Sequence, residues 1–183
     1  TTPLSSLTIT GNLITLNNIG GASAGVSGAT SITSVGSSTF NGTTYNANAQ
    51  TYTAGSSFNM NAGSLTTFTS SNDAISFVTG YLQLSSTTNV TMNSNGGNIT
   101  IAGADATDSS LRTLTLNAST GTVQTGPIGS TGTDEFASIV LIGGDIKIYG
   151  EVHTTAITIT PGGTNTIYLG GNITTTNTTI TFS

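Results

Sequence analysis

Cysteine is absent from the chain, so no disulfide frame can hold it together. Basic residues number only two, Arg112 and Lys147. Nucleic-acid binding depends on several cations that displace condensed counterions, and polybasic membrane attachment needs a similar cluster. Two cations support neither, so no nucleic acid is expected among the partners. No apolar run approaches the roughly 18 residues of a membrane-spanning helix, so no membrane insertion is expected. Tryptophan is missing and aromatic residues make up 6%. Charged residues make up 5%, where about 25% is usual. Disordered chains combine low hydrophobicity with high net charge. Here 34% of residues are hydrophobic and the formal net charge is only −5, so an ordered fold is expected.

Threonine, serine, glycine and asparagine fill the space that charge leaves. A Cys-free chain rich in hydroxyl and amide groups is the composition expected of long exported bacterial proteins, which points to a secreted, cell-surface location. The chain opens on "TTPLSS" with no initiator methionine and no charged leader, which reads as a piece cut from a longer polypeptide or a processed subunit. Its 183 residues fit one β-repeat module, residues 1–183, of a larger fibre.

Strand signals dominate. A large apolar residue, a threonine and another large apolar residue recur as Leu7-Thr8-Ile9, Ile14-Thr15-Leu16, Val90-Thr91-Met92, Ile99-Thr100-Ile101, Leu114-Thr115-Leu116, Ile157-Thr158-Ile159 and Ile180-Thr181-Phe182. Phe58-Asn59-Met60, Leu82-Gln83-Leu84, Ile146-Lys147-Ile148 and Ile167-Tyr168-Leu169 keep the alternation with another central residue. Side chains alternate faces along a strand, so each triplet sends two apolar residues inward and one polar residue outward. Threonine suits the outward place because its branched stem favours extended backbone. No apolar spacing of three and four persists over ten residues, so no helix is expected. Gly-Asn and Gly-Gly pairs sit between the runs as corners.

Segments of the chain also resemble one another. "LSSLTITGNLITL" (4–16) and "FASIVLIGGDIKI" (136–148) place apolar, small and glycine residues in the same order. "NVTMNSNGGNITIAG" (89–103) and "TNTIYLGGNITTTNTTITF" (164–182) share a strand, Gly-Asn corner, strand plan. Such units are expected to stack. Two architectures bury short alternating strands: a β-solenoid and a β-sandwich. Few aromatics and no tryptophan favour an all-β, right-handed parallel β-solenoid (β-helix), with small aliphatic residues in interior ladders and hydroxyl ladders outside. The alternative is an Ig-like or jelly-roll sandwich, a fibre subunit that exchanges its N-terminal strand "LSSLTIT" in the manner of a pilus subunit.

At "LTLNASTGTVQTGPIGS" (114–130), with "TTPLSSLTITG" (1–11), the chain resembles the repeats of giant bacterial exoproteins of the filamentous-haemagglutinin type. In those repeats an "LTLNAGTG-V" strand pair is followed by "IG" and then by "TPL-SLT-TG". Here Phe136-Ala137-Ser138-Ile139 departs from "PLSSL". The resemblance covers most of the chain in pieces, except roughly 22–48. It implies a secreted β-helical shaft used in adhesion or in a surface matrix.

Chemistry-bearing residues are sparse. Asp105 and Asp108 lie in "AGADATDSS". A carboxylate pair can cleave glycosides, but a solvated loop with a local ion pair to Arg112 is the plainer reading. Asp105, Asp108, Asp134 and Glu135 are weak calcium candidates, since hard oxygen ligands are what calcium takes; no EF-hand or β-roll loop accompanies them. No other cofactor is suggested. His153 is the only histidine, so a His-rich metal site is excluded. A Ser-His-acid set would need His153 with Glu151 or Asp145, and no nucleophile-elbow motif occurs. Sequons at Asn41, Asn89, Asn98, Asn117, Asn172 and Asn177 are glycosylation candidates. Tyr45, Tyr52, Tyr81, Tyr149 and Tyr168 are candidate sugar contacts, Tyr168 above all because its triplet points it outward.

The reading that best fits these features is structural. The chain is a building block of a surface filament or adhesin shaft, not an enzyme, and it pairs with itself or adjacent repeats through strand edges at Leu7, Ile9, Ile180 and Phe182. Glycans of host or neighbouring cells are further possible partners. The rival readings are a donor-strand pilus subunit, a sugar- or ice-binding β-helix, and a polysaccharide-degrading β-helix. Thr8/Thr10 and Thr174/Thr176 supply local Thr-x-Thr pairs for the ice reading, but they do not recur at one fixed sequence spacing.

Overall fold

A run of three to six alternating residues buries one side only, so short runs joined by corners must wrap around a shared interior. The computed structural model shows this wrapping and describes residues 3–21, 25–85, 87–107, 112–129, 136–162, 165–176 and 180–183. Strands are numbered in chain order. One face holds β1 (Leu7–Gly11), β3 (Thr30–Ser34), β6 (Gln50–Ala54), β9 (Ile75–Val78), β12 (Ile99–Ile101), β15 (Val123–Thr125), β17 (Ile146–Ile148) and β20 (Ile167–Leu169). A second holds β2 (Ile14–Leu16), β4 (Ser38–Phe40), β7 (Ser57–Met60), β10 (Tyr81–Leu84) and β13 (Ala104–Ala106). Single bridges at Ile128 carry that face on to β18 (Val152–Thr154) and β21 (Ile173–Thr175). The third holds β5 (Thr44–Asn46), β8 (Thr66–Thr69), β11 (Val90–Asn93), β14 (Thr113–Asn117), β16 (Ser138–Gly143), β19 (Ile157–Pro161) and β22 (Ile180–Phe182).

Every strand pairing among the described residues is parallel. The chain is a β-solenoid of about seven turns, each turn visiting the three faces in order. The sandwich alternative is thereby excluded, because a sandwich is built from antiparallel sheets. The N-terminal strand is not held out for exchange either: β1 is already a rung, paired with β3 from Leu7↔Thr30 to Gly11↔Ser34.

Coil length varies from 18 residues, between Ile139 and Ile157, to 25, between Gln50 and Ile75. This explains why the sequence repeat looks degenerate. It also corrects the phase of the repeat. Segments 4–16 and 136–148 match as strand–corner–strand, yet the first runs from face one to face two, and the second from face three to face one. The recurring unit in the sequence is the corner with its two strands, not the full coil.

Inward positions stack in ladders. Ile75, Ile99, Val123 and Ile146 stand over one another on face one, and all are fully buried. The aliphatic interior expected from the sequence dominates from β12 onward, where Thr125, Phe136 and Thr154 are buried as well, and fails for the earlier coils. There six of the eleven Phe and Tyr residues gather: Phe40, Tyr45, Tyr52, Phe58, Phe68 and Phe77. They pack mostly edge to face, as Phe40–Tyr45 (5.1 Å, 76°) and Phe58–Phe77 (5.0 Å, 86°) do, the arrangement aromatic quadrupoles prefer. A polar network lies inside the cluster. Tyr52 Oη donates to Gln50 Oε1 (2.9 Å), and Gln50 Nε2 donates to the carbonyls of Ala47 (3.0 Å) and Thr69 (2.7 Å). Each polar atom of the buried carboxamide thus has a partner, which is the condition for burying one.

The corner from face three back to face one is turned by left-handed residues, among them Asn72, Asn95 and Ser119. Beside it a glycine column is fixed by close approach. A Cβ on Gly97 would lie 2.2 Å from the Asp73 carbonyl oxygen, and one on Gly121 would lie 2.2 Å from that of Gly97. Neither obstacle is a movable side chain. Gly121→Ala should therefore lower stability by about 1–3 kcal/mol, read as a fall in the urea midpoint. Ser119→Ala beside it changes no contact of this kind and serves as the control.

Candidate functional site

Three kinds of surface are available on such a prism: its outer faces, its corners and its two end rungs. The sequence candidates distribute over all three.

The acidic candidates do not converge. Asp105 points outward from β13, half-buried, and accepts from Gln83 Nε2 at 3.4 Å. Asp108, Asp134 and Glu135 lie outside the described residues. Asp145 is committed to structure, since its Oδ1 accepts the Thr166 N–H of the next coil at 3.0 Å. His153 pairs with Glu151 at 3.4 Å on the surface, a contact that contributes little when exposed. Among the described residues no three His, Cys, Asp or Glu side chains are grouped to hold a metal ion. A shallow depression beside Val26, Ser27, Asn46 and Asn48 has no charged side chain in its lining.

The tyrosines divide. Tyr45 and Tyr52 are interior, which overturns their reading as sugar contacts: both occupy inward positions of β5 and β6. Burial pushes the Tyr45 hydroxyl up to about 12, partly offset by the Gly42 N–H that it accepts. Burial also raises Tyr52 strongly, with Tyr45 nearby adding to the effect. Tyr81 is half-buried, against the corner at Gly103. Tyr149 and Tyr168 are exposed, with ring centroids 5.3 Å apart at 47°. Tyr168 does project outward, as its triplet requires.

The sequons mark corners and outer columns. Asn41 and Asn61 form a carboxamide step between coils (3.3 Å). Asn89 Oδ1 accepts the Thr113 N–H at 2.8 Å, and Asn98 Oδ1 accepts the Thr122 N–H at 2.9 Å. Asn117 accepts from Ser119 at 3.0 Å, Asn172 is exposed, and Asn177 lies outside the described residues. Three of these side chains, Asn89, Asn98 and Asn117, thus accept backbone N–H groups, a use that sequon spacing does not reveal.

The end rungs hold the assembly candidates. Leu7 and Ile9 on β1 are half-buried, as is Ile180 on β22, while Phe182 is 55% exposed. Phe182 stands directly on Ile159, and Leu169 on Ile148. Ile159 and Ile148 are 0% exposed, whereas Leu169 is 45% exposed. Interior ladders therefore continue to the last rung and end there in contact with solvent.

Compared with family models, curated proteins and solved structures, the chain has no match. Its function must be argued from the surfaces themselves.

Sequence reasoning missed one arrangement. Coils of unequal length hide the fact that outward hydroxyls align. Thr8 and Thr10 stand in register with Ser31 and Thr33, and those with Thr51 and Thr53. Face three carries a longer alignment of the same kind. The signal was present in the central threonine of each triplet, but only the pairing register shows which triplets share a face.

Proposed function

We propose that this chain is a structural unit of a secreted β-solenoid shaft, a surface filament or adhesin stalk of the kind its filamentous-haemagglutinin-like motifs suggest. The observation that supports it is the pair of uncovered end rungs. Their interior-facing residues, Leu169 and Phe182 at one end and Leu7 and Ile9 at the other, are the apolar ladder positions that inner coils cover completely. Strand edges with unpaired N–H and C=O groups also lie there, and such edges pair readily when no charge blunts them. With 5% charged residues, the chain has little to blunt them with. A further coil fits either end, from the same polypeptide or from a second copy. Joining the last rung of one copy to the first of another is a head-to-tail contact, and contacts of that type generate open filaments.

Two charges on the last rung test this. The purified chain should associate with rising concentration in sedimentation velocity. Leu169→Asp with Phe182→Lys should leave it monomeric, with an unchanged thermal midpoint, because both side chains are already half in water. A chain that stays monomeric at every concentration, or one whose association ignores the two charges, would remove the end-stacking reading.

A further inference from the structure

The parallel register of face three aligns one outward threonine per rung: Thr44, Thr67, Thr91, Thr115, Thr158 and Thr181. Val140 takes the equivalent place between Thr115 and Thr158. Among the described residues, none of the six threonine hydroxyls has a hydrogen-bond partner in the protein. Two residues along each strand, a second outward column holds Asn46, Thr69, Asn93, Asn117 and Thr160, with Ile142 in the Val140 rung. The second column is partly engaged, through Asn46 Nδ2 to the Gly21 carbonyl, Asn117 Oδ1 to the Ser119 N–H, and the Thr160 hydroxyl with that of Ser183. Rungs repeat every ~4.8 Å, and the two columns stand ~6.7 Å apart along the strands. The face is therefore a two-dimensional lattice of hydroxyl, carboxamide and methyl groups.

A free solute engages a few groups, whereas a lattice of this extent matches a surface that itself repeats in two directions, that is, a solid. The chemistry narrows which solid. Neither column contains a charged residue, so an ionic mineral finds no counter-charge. Neither contains an aromatic ring, so the stacking that holds sugar faces is missing. Unpartnered hydroxyls at fixed spacing, each with a methyl beside it held by a stiff χ1, offer a neutral donor–acceptor grid to a neutral one. We propose that face three is an ice-binding surface, with the Thr44-to-Thr181 column ordering water into positions continuous with an ice plane. This inference uses a lateral face and not the end rungs, so it stands or falls separately from end-to-end stacking.

The test uses the 183-residue chain and ice itself. Slow growth of an ice hemisphere from a dilute solution should incorporate the chain, and nanolitre osmometry should show thermal hysteresis with faceted crystals. Thr91→Tyr with Thr115→Tyr should cut incorporation at least tenfold, while Thr51→Tyr on face one should leave it unchanged. If the tyrosine pair disturbs folding by circular dichroism, Thr91→Val with Thr115→Val, which keeps the shape and removes the hydroxyls, carries the same expectation. Exclusion from ice, or a double variant that binds ice like the parent, overturns the proposal. So does a parent that instead dimerises through this face above freezing, or one that pellets with crystalline cellulose or chitin and not with ice, when the same pair of substitutions abolishes that binding.

Discussion

Phe68→Ala should cost about 4 kcal/mol of folding stability, within the 3–5 kcal/mol typical of removing a buried phenylalanine. The side chain is fully buried on β8 and lies at the meeting point of all three faces. It stacks on Tyr45 at 4.7 Å and 13°, and meets Phe77 at 5.1 Å, Phe40 at 5.5 Å and Tyr52 at 5.8 Å. Deleting the ring loses its transfer free energy and leaves a void that strands hydrogen-bonded on both sides cannot close. Phe182→Ala supplies the comparison. It is the same residue type on the same face, but at an uncovered rung, and should change stability by no more than about 0.5 kcal/mol in the monomer. Urea denaturation followed by far-ultraviolet circular dichroism measures both. A Phe68→Ala loss below about 1 kcal/mol would mean that the aromatic cluster does not hold the early coils together.

That cluster also marks where the sequence was hardest to read. In the later coils most inward places are aliphatic, with Thr125, Phe136 and Thr154 among the exceptions, and the triplets are visible: Ile99-Thr100-Ile101, Leu114-Thr115-Leu116 and Ile157-Thr158-Ile159 all lie in strands with their first and third residues buried. Between Thr30 and Ala54 the inward places are instead Thr30, Ser34, Ser38 and Gln50 beside Ile32, Phe40, Tyr45, Tyr52 and Ala54. Most of these polar groups are paired: Ser38 donates to Ser34 at 2.9 Å around a corner of its own coil, and Gln50 is satisfied on every side, whereas the buried Thr30 hydroxyl has no partner. A pattern search for apolar residues at alternate places fails on such a stretch, and this is also where the motif resemblance lapses. The low aromatic fraction misled for a related reason, since it averages over a chain whose rings are concentrated in three coils. Face assignment was illegible throughout. Alternation tells which side of a strand is wet, but only pairing tells which wet sides adjoin, so Leu7 and Phe182 could be placed on terminal strands from the sequence while the threonine columns could not.

Alkaline titration should unfold the chain through the same aromatic cluster. Tyr45 and Tyr52 have an ordinary pKa of about 10 when unfolded; in the folded chain burial holds Tyr45 at about 12 and Tyr52 higher still. Below pH 10 both states keep both protons, and stability is insensitive to these groups. Above pH 10 the unfolded chain releases protons that the folded chain retains, so the unfolded state binds fewer and stability falls as pH rises. Each tyrosine contributes a slope approaching about 1.4 kcal/mol per pH unit. Tyr45 alone accounts for about 2–3 kcal/mol by pH 12, where its loss levels off as the folded form titrates too, while Tyr52 continues beyond. Guanidinium midpoints taken between pH 8 and pH 11.5 should be flat at first and then drop steeply. Tyr52→Phe separates charge from packing. It leaves Gln50 Oε1 without the donor at 2.9 Å, which lowers stability at every pH by about 1–3 kcal/mol, yet it should roughly halve the slope above pH 10. A slope that Tyr52→Phe leaves unchanged would place the proton release elsewhere, and with it the claim that these rings are sealed inside the coils.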